Sequence, residues 1–285
     1  MDKILSHDRR KQVFRLLSEH GPLSKRGLQA CLHPAIHLNR LTEVLARLTE
    51  RRHLVKRMYR SLGKEAYYYQ LSQEPKAVAY ISKMTGIDKD RLDQAPFRHV
   101  QMFHSETCAI WKELLKHLFP RAQVLREHEY SAHQDISNLL LAGVDDYELR
   151  PDLMLIMKSD VINNKVALAI EIEKSPKSRA RLIRKLRKYA TQSRVDGVVY
   201  VCDELSLSTR LRNIYQSRIK HDALRIQNYA KNFILFTDGS LNPQKTEPVM
   251  FNADAENISI QDWMHLLLAT EIRQRRDAKF QSPGF

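Results

Sequence analysis

Apolar residues recur along this chain in two rhythms, and the change between them divides it. In "SHDRRKQVFRLLSEHGPLS" (6–24), Val13, Leu16 and Leu17 form a stripe at helical spacing behind a Ser/Asp start, and Gly21-Pro22 ends it. A short second helix is expected in "SKRGLQACL" (24–32). A third follows, with Leu38, Leu41, Val44, Leu45 and Leu48 on one face. The rhythm then shifts to two strand-like runs within 54–71, joined by a turn at Ser61-Leu62-Gly63-Lys64. Residues 72–97 read as a connector bracketed by Pro75 and Pro96, with a short helix near 76–84.

Beyond it the order is helix and strand by turns. A helix is expected over 99–120, ended by Pro120. A strand in "AQVLREHEYS" (122–131) places Glu127 and Glu129 on a common face. A hairpin turning at Asn163-Asn164 follows, then a helix, a strand in 196–204, a helix over 205–218, a strand in 232–237 and a helix over 259–276. This order predicts an α/β sheet with helices on both faces. The expected organisation is a first domain over 1–74, a connector over 75–97, a second domain over 98–258, and a C-terminal helix and tail over 259–285.

One strand breaks its own pattern. "KVALA" (165–169) is small and apolar, as suits a central strand covered on both sides, yet the run ends in Glu171, Glu173 and Lys174. Alternation puts the two glutamates on one face and Lys174 on the other. Two like charges so placed are tolerable if they reach water, meet basic partners or bind a metal. Basic partners are near in sequence, since Arg181, Lys185 and Lys188 share a face of the next helix while Leu182, Ile183, Leu186 and Tyr189 form its buried side.

Charge changes the picture further. The 285 residues carry 47 Lys+Arg against 33 Asp+Glu, a net charge of +14 that favours a polyanion, nucleic acid foremost. Three widely spaced cysteines suggest neither a disulfide framework nor a zinc cluster. The twelve histidines form no HExxH, HxxEH or His-x-His pattern. No apolar run approaches bilayer length and the N-terminus lacks a signal-type core, so a cytoplasmic protein with no membrane partner is expected.

Three helices followed by a basic hairpin resemble a winged helix-turn-helix, in which the third helix enters the major groove and the hairpin touches the backbone. On that resemblance Asn39, Arg40 and Arg47 of the third helix face DNA, and Lys56, Arg57, Arg60 and Lys64 contact phosphates. The run Tyr67-Tyr68-Tyr69 reads as hairpin packing rather than base stacking.

The second half resembles the PD-(D/E)xK nuclease superfamily, the restriction-endonuclease-like α/β fold. Pro151-Asp152 opens an apolar strand, and after a tight turn "AIEIEK" brings Glu171 to the superfamily's acidic position. Glu173 stands where the superfamily usually has lysine; some members carry Glu there, and others move the lysine to the following helix, where Lys185 lies. Lys185 and Tyr189 also keep the spacing of the Gln-x-x-x-Tyr helix motif of some of these nucleases. A winged helix ahead of this module, with "HSE" (104–106), "RPD" (150–152) and "IEIEKSPKSRARLIRKLRKY" (170–189), is similar to the replication-relaxation family, including its MobC-type plasmid mobilisation relaxases.

The resemblance implies that Asp152, Glu171 and Glu173 hold Mg²⁺ or Mn²⁺, that Lys185 serves the scissile phosphate or its attacking water, and that Glu106, Glu129 and His104 are outer groups. His104 has a competing reading as a helix-capping or buried hydrogen-bonded residue. The implied function is a metal-dependent nicking endonuclease at a plasmid or mobile-element origin of transfer. Its partners would be double-stranded DNA and accessory mobilisation proteins, and a homodimer is compatible with it. The alternative is a non-catalytic DNA-binding regulator of replication or transcription on a degenerate nuclease fold.

Overall fold

The computed structural model describes residues 2–32, 36–61, 64–92, 102–132, 150–158, 165–175, 177–191, 195–220, 234–237, 250–252 and 257–268. The protein is a mixed α/β chain with eight α-helices and two sheets among these residues. It divides into two compact units, Met1–Leu114 and Leu115–Phe285. The division falls later than the boundary expected near residue 97.

The N-terminal unit contains α1 (Asp2–His20), β1 (Leu23–Ser24), α2 (Lys25–Cys31), α3 (Leu38–Glu50), β2 (Leu54–Ser61), β3 (Lys64–Leu71), α4 (Pro75–Thr85) and most of α5 (Met102–Leu118). α1 starts at Asp2, so Ser6 and Asp8 lie inside the helix rather than at its start. "DKIL" contains no breaker, and propagation through it outweighs the local capping signal. In α3 the residues Leu41, Leu45 and Leu48 are fully buried at i, i+4, i+7, as the apolar stripe requires. The helix stops where Arg52 turns left-handed (φ 58) and the His53 N–H donates back to the Leu48 carbonyl at 2.9 Å.

The three strands pair antiparallel in the order β1-β3-β2. β3 is covered on both faces. Tyr69 joins the core of α1, α2 and α3, while Tyr68 packs edge-on against Tyr59 and Phe103. Tyr67 is left 54% exposed. α4 closes the same core through Ile81, with Val78, Tyr80 and Met84 packed against it, so the segment expected to be a connector belongs to this unit.

The C-terminal unit is built on β4 (Gln123–Arg126), β5 (Leu153–Lys158), β6 (Lys165–Glu173), β7 (Gly197–Cys202), β8 (Ile234–Thr237) and β9 (Met250–Asn252), hydrogen-bonded in that order. The central pairs β6–β7 and β7–β8 are parallel and the outer pairs antiparallel. Two helices, α6 (Arg179–Thr191) and α7 (Leu205–Arg218), cover one face. There Leu182, Leu186, Tyr189, Leu211 and Tyr215 pack on Ala167, Ala169, Val198 and Tyr200. α8 (Ile260–Leu268) covers the other face, where Trp263 lies so close over Gly197 that a Cβ there would meet its ring at 2.4 Å. Small residues on β6 and a glycine on β7 let bulky helix residues sit down on the sheet.

The expected strand over 122–131 ends at Arg126, and Glu127–Ala132 is a 3-10 turn. The Glu129 carboxylate accepts the Arg126 N–H at 2.6 Å, folding the chain back on itself. Glu127 and Glu129 are therefore not neighbours on a strand face. The turns at Leu62-Gly63 and Asn163-Asn164, the Lys64 side chain and the basic end of the 259–276 helix lie outside the described residues. No described helix is long and apolar enough to cross a membrane.

Candidate functional site

The β5–β6 hairpin sets the geometry. Leu153 pairs with Ile170 and Met154 with Ala169, so one further step of that antiparallel register places Asp152 opposite Glu171. The Asp152 carboxylate accepts the Ile172 N–H at 2.7 Å, which locks it beside the end of β6. On the other side, β7 runs parallel with Glu171 against Tyr200 and Glu173 against Cys202. Asp196 secures this register. Its backbone N–H donates to the Ala167 carbonyl, and its side chain accepts the Ala167 N–H, both at 2.8 Å.

Residues 167, 169, 171 and 173 share the face covered by α6 and α7. Glu171 and Glu173 are thus carried under the helix layer, only 2% and 1% exposed. Their buried charge is answered from α6 and from the turn before it. Lys185 Nζ donates to Glu171 Oε2 at 2.5 Å, and the Tyr189 hydroxyl donates to Glu171 Oε1. Lys177 Nζ donates to Glu173 Oε1 at 2.8 Å. Glu173 Oε2 is buried with no hydrogen-bond partner among the described residues. Lys174 turns to the opposite side of the strand end and pairs with Asp203 at 3.1 Å.

Burial pushes the Glu171 carboxyl up to about 7; the Lys185 ammonium works against that rise and Asp152 adds to it. For Lys185 itself burial acts downward, but Glu171, with Asp152 and Glu173 behind it, outweighs it and holds the ammonium above its ordinary range. Burial, with the nearby Glu171, also raises the hydroxyls of Tyr189 and Tyr200 well above theirs. Three carboxylates, two ammonium groups and a donor tyrosine therefore meet at one strand end. Its oxygen donors and the unsatisfied Glu173 Oε2 are the groups a hard divalent cation would engage there.

Asp152, Glu171, Glu173 and Lys185 are thus brought together in the C-terminal unit. Glu129 lies in the same unit, its carboxylate on the Arg126 N–H, and the neighbouring Tyr130 hydroxyl donates to the Pro151 carbonyl at 2.8 Å. His104 and Glu106 lie on α5 within the N-terminal unit. There Glu106 accepts the Ser24 N–H at 2.6 Å and the Tyr68 hydroxyl at 3.3 Å. It lies so close to α2 that a Cβ on Gly27 would meet its Oε1 at 2.1 Å.

Of the residues expected to touch DNA, Asn39, Arg40 and Arg47 are exposed on α3, and Lys56, Arg57 and Arg60 are exposed on β2. Lys56 lies over the Tyr67 ring at 4.3 Å, and Arg60 pairs with Glu65 at 2.6 Å. Reasoning from sequence missed Lys177, Tyr200 and Asp196. Lys177 stands four residues after Glu173, but Ser175-Pro176 lies between them in the sequence, so helix spacing gave no reason to pair them.

The replication-relaxation family model matches residues 14–198. The chain belongs to the replication-relaxation family. The match runs from α1 into the start of β7, so it takes in the helices and hairpin of the first unit and the whole Asp152–Glu171–Lys185 constellation. Membership of the family indicates a role in replication or mobilisation. No curated protein and no solved structure shows a significant match to the chain.

Proposed function

We propose that this replication-relaxation protein is a divalent-metal-dependent DNA nickase of the PD-(D/E)xK type, carried to duplex DNA by a winged helix and acting at a plasmid or mobile-element origin of transfer. The observation that carries this reading is the buried Glu171. It faces Asp152 across the hairpin and is held by Lys185 from the helix after the strand. Asp152, Glu171 and Glu173 would hold Mg²⁺ or Mn²⁺, which when bound supplies positive charge to the scissile phosphate and acidifies the attacking water. Lys185 pairs with Glu171. Once the carboxylate is engaged elsewhere, its ammonium is available to neutralise the phosphorane-like transition state. Tyr189 keeps Glu171 oriented, and its raised, fully buried hydroxyl is poorly suited to act as a nucleophile.

In the first unit, α3 and the β2–β3 hairpin present Asn39, Arg40, Arg47, Lys56, Arg57 and Arg60 to solvent, which supports groove reading by the helix and phosphate contact by the hairpin. A second reading, a non-catalytic DNA-binding regulator, is favoured by one specific observation. Glu171 and Glu173 have cationic partners of their own, Lys185 and Lys177.

Conversion of supercoiled plasmid bearing the cognate origin to open circles separates the two. Wild type with Mn²⁺ or Mg²⁺ is expected to nick and Glu171→Ala to leave the plasmid intact. Equal inertness of both proteins on cognate DNA would leave the regulator reading in possession.

A further inference from the structure

A second basic feature lies on the C-terminal unit, apart from the acidic strand end. α6 and α7 lie side by side over the sheet, and between them opens a cleft of about 520 Å³. Arg179, the first residue of α6, and Arg210 on α7 line it together with Thr209, Asn213 and Ser217. Both arginines are exposed, and neither has a carboxylate partner among the described residues. The acids nearest in sequence are engaged elsewhere: Glu173, six residues before Arg179, pairs with Lys177, and Glu204, before α7, accepts the Ser206 hydroxyl.

The surroundings reinforce the sign of the cleft. α6 ("RARLIRKLRKYAT") carries six cations and no carboxylate, and α7 ("LSLSTRLRNIYQSR") carries three and none. Arg179 and Arg210 on one cleft concentrate positive charge there that an anion would offset. Forked guanidinium donors beside hydroxyl and amide groups make a surface suited to phosphate oxygens. The groove is open rather than enclosed and has no aromatic platform among its lining residues, so it favours a backbone over a base or a small metabolite.

We infer that the α6–α7 cleft binds the phosphodiester backbone of duplex DNA, through Arg179 and Arg210. This rests on the proposed DNA-directed function and adds a second contact surface to it. α6 ties the two features together. Lys185 and Tyr189 hold Glu171 from the same helix whose first residue lines the cleft, about 9 Å along its axis from Lys185 at 1.5 Å per residue. A strand seated in the cleft would be positioned by contacts that carry no sequence information, leaving site choice to the other unit.

The test is fluorescence anisotropy of labelled duplex DNA in EDTA, between about 50 and 200 mM salt. In Arg179→Ala/Arg210→Ala, loss of two phosphate contacts should lower the magnitude of the log–log salt slope by about 1.8, which is about 30-fold in affinity at 0.15 M salt. Arg179→Lys/Arg210→Lys should restore the slope. Wild-type binding to duplex with an unchanged slope in the alanine variant overturns the cleft and leaves the proposed function standing. Failure of wild type to bind any duplex overturns both. Inorganic phosphate added at constant ionic strength serves as the second probe. Tight saturable binding of it, lost in the alanine variant, would assign the cleft to a free phosphate compound and overturn the DNA assignment.

Discussion

Glu171 makes the stability of this protein depend on pH in an unusual direction. Its carboxyl is pushed by burial from 4.5 to about 7 in the folded protein. Between those values the folded chain holds a proton that the unfolded chain releases, so folding is favoured by acid. The contribution is fully present below about pH 4.5 and is lost as pH rises through about 7. At 1.36 kcal/mol per unit of pKa, the difference amounts to about 3 kcal/mol. Glu171→Gln removes the titrating group while keeping an oxygen for the Tyr189 hydroxyl. Urea unfolding of wild type and Glu171→Gln at a series of pH values from 4.5 to 8, in EDTA, cancels every group not coupled to Glu171, leaving its own titration and that of its partners Lys185 and Asp152 in the difference. Wild type should lose about 3 kcal/mol relative to the variant across that range. A difference that is flat with pH, or that grows in favour of wild type as pH rises, would show that Glu171 is ionised throughout and refute the reasoning.

Other perturbations follow from the same geometry. Tyr189→Phe leaves Glu171 Oε1 without its donor in a buried site and should cost about 1–3 kcal/mol by denaturant unfolding. Gly197→Ala drives a methyl group into Trp263 and should cost about 1–3 kcal/mol, read as a lower melting temperature with altered tryptophan fluorescence. Arg57→Ala/Arg60→Ala should weaken binding to all duplexes alike and flatten the salt dependence; the loss at Arg60 should be the smaller one because Glu65 already neutralises it.

Much of the fold was legible because strong periodicity and simple pairing carry it. The leucines of α3 could face only one core, and the superfamily resemblance carried by "RPD" and "AIEIEK" implied that Asp152 and Glu171 lie together, where the β5–β6 register puts them. The α6 pattern likewise put Lys185 and Tyr189 one helical turn apart. What escaped depended on tertiary capture of short or polar segments. β1 is two residues held by Tyr68 and Tyr69, too short to have a period. Glu129 chose a backbone N–H three residues back over a strand ladder, a competition that propensity does not decide. Asp196 reads in sequence as a loop aspartate and becomes a register pin only because β6 passes beside it. Tyr67 and Tyr69 share a strand face, yet only Tyr69 is buried, because the helical core ends between them.

The proposed nuclease activity requires that the Asp152, Glu171 and Glu173 carboxylates hold a divalent cation. Electron paramagnetic resonance of free Mn²⁺ during titration into the protein measures this without DNA or turnover. Wild type should take up a single ion per chain, more tightly as pH rises through about 7 because the cation competes with the Glu171 proton. Asp152→Asn should lose it while keeping the Ile172 hydrogen bond. Wild type that leaves millimolar Mn²⁺ free at pH 8, or Asp152→Asn that binds as wild type does, would contradict the metal site and with it the nuclease reading.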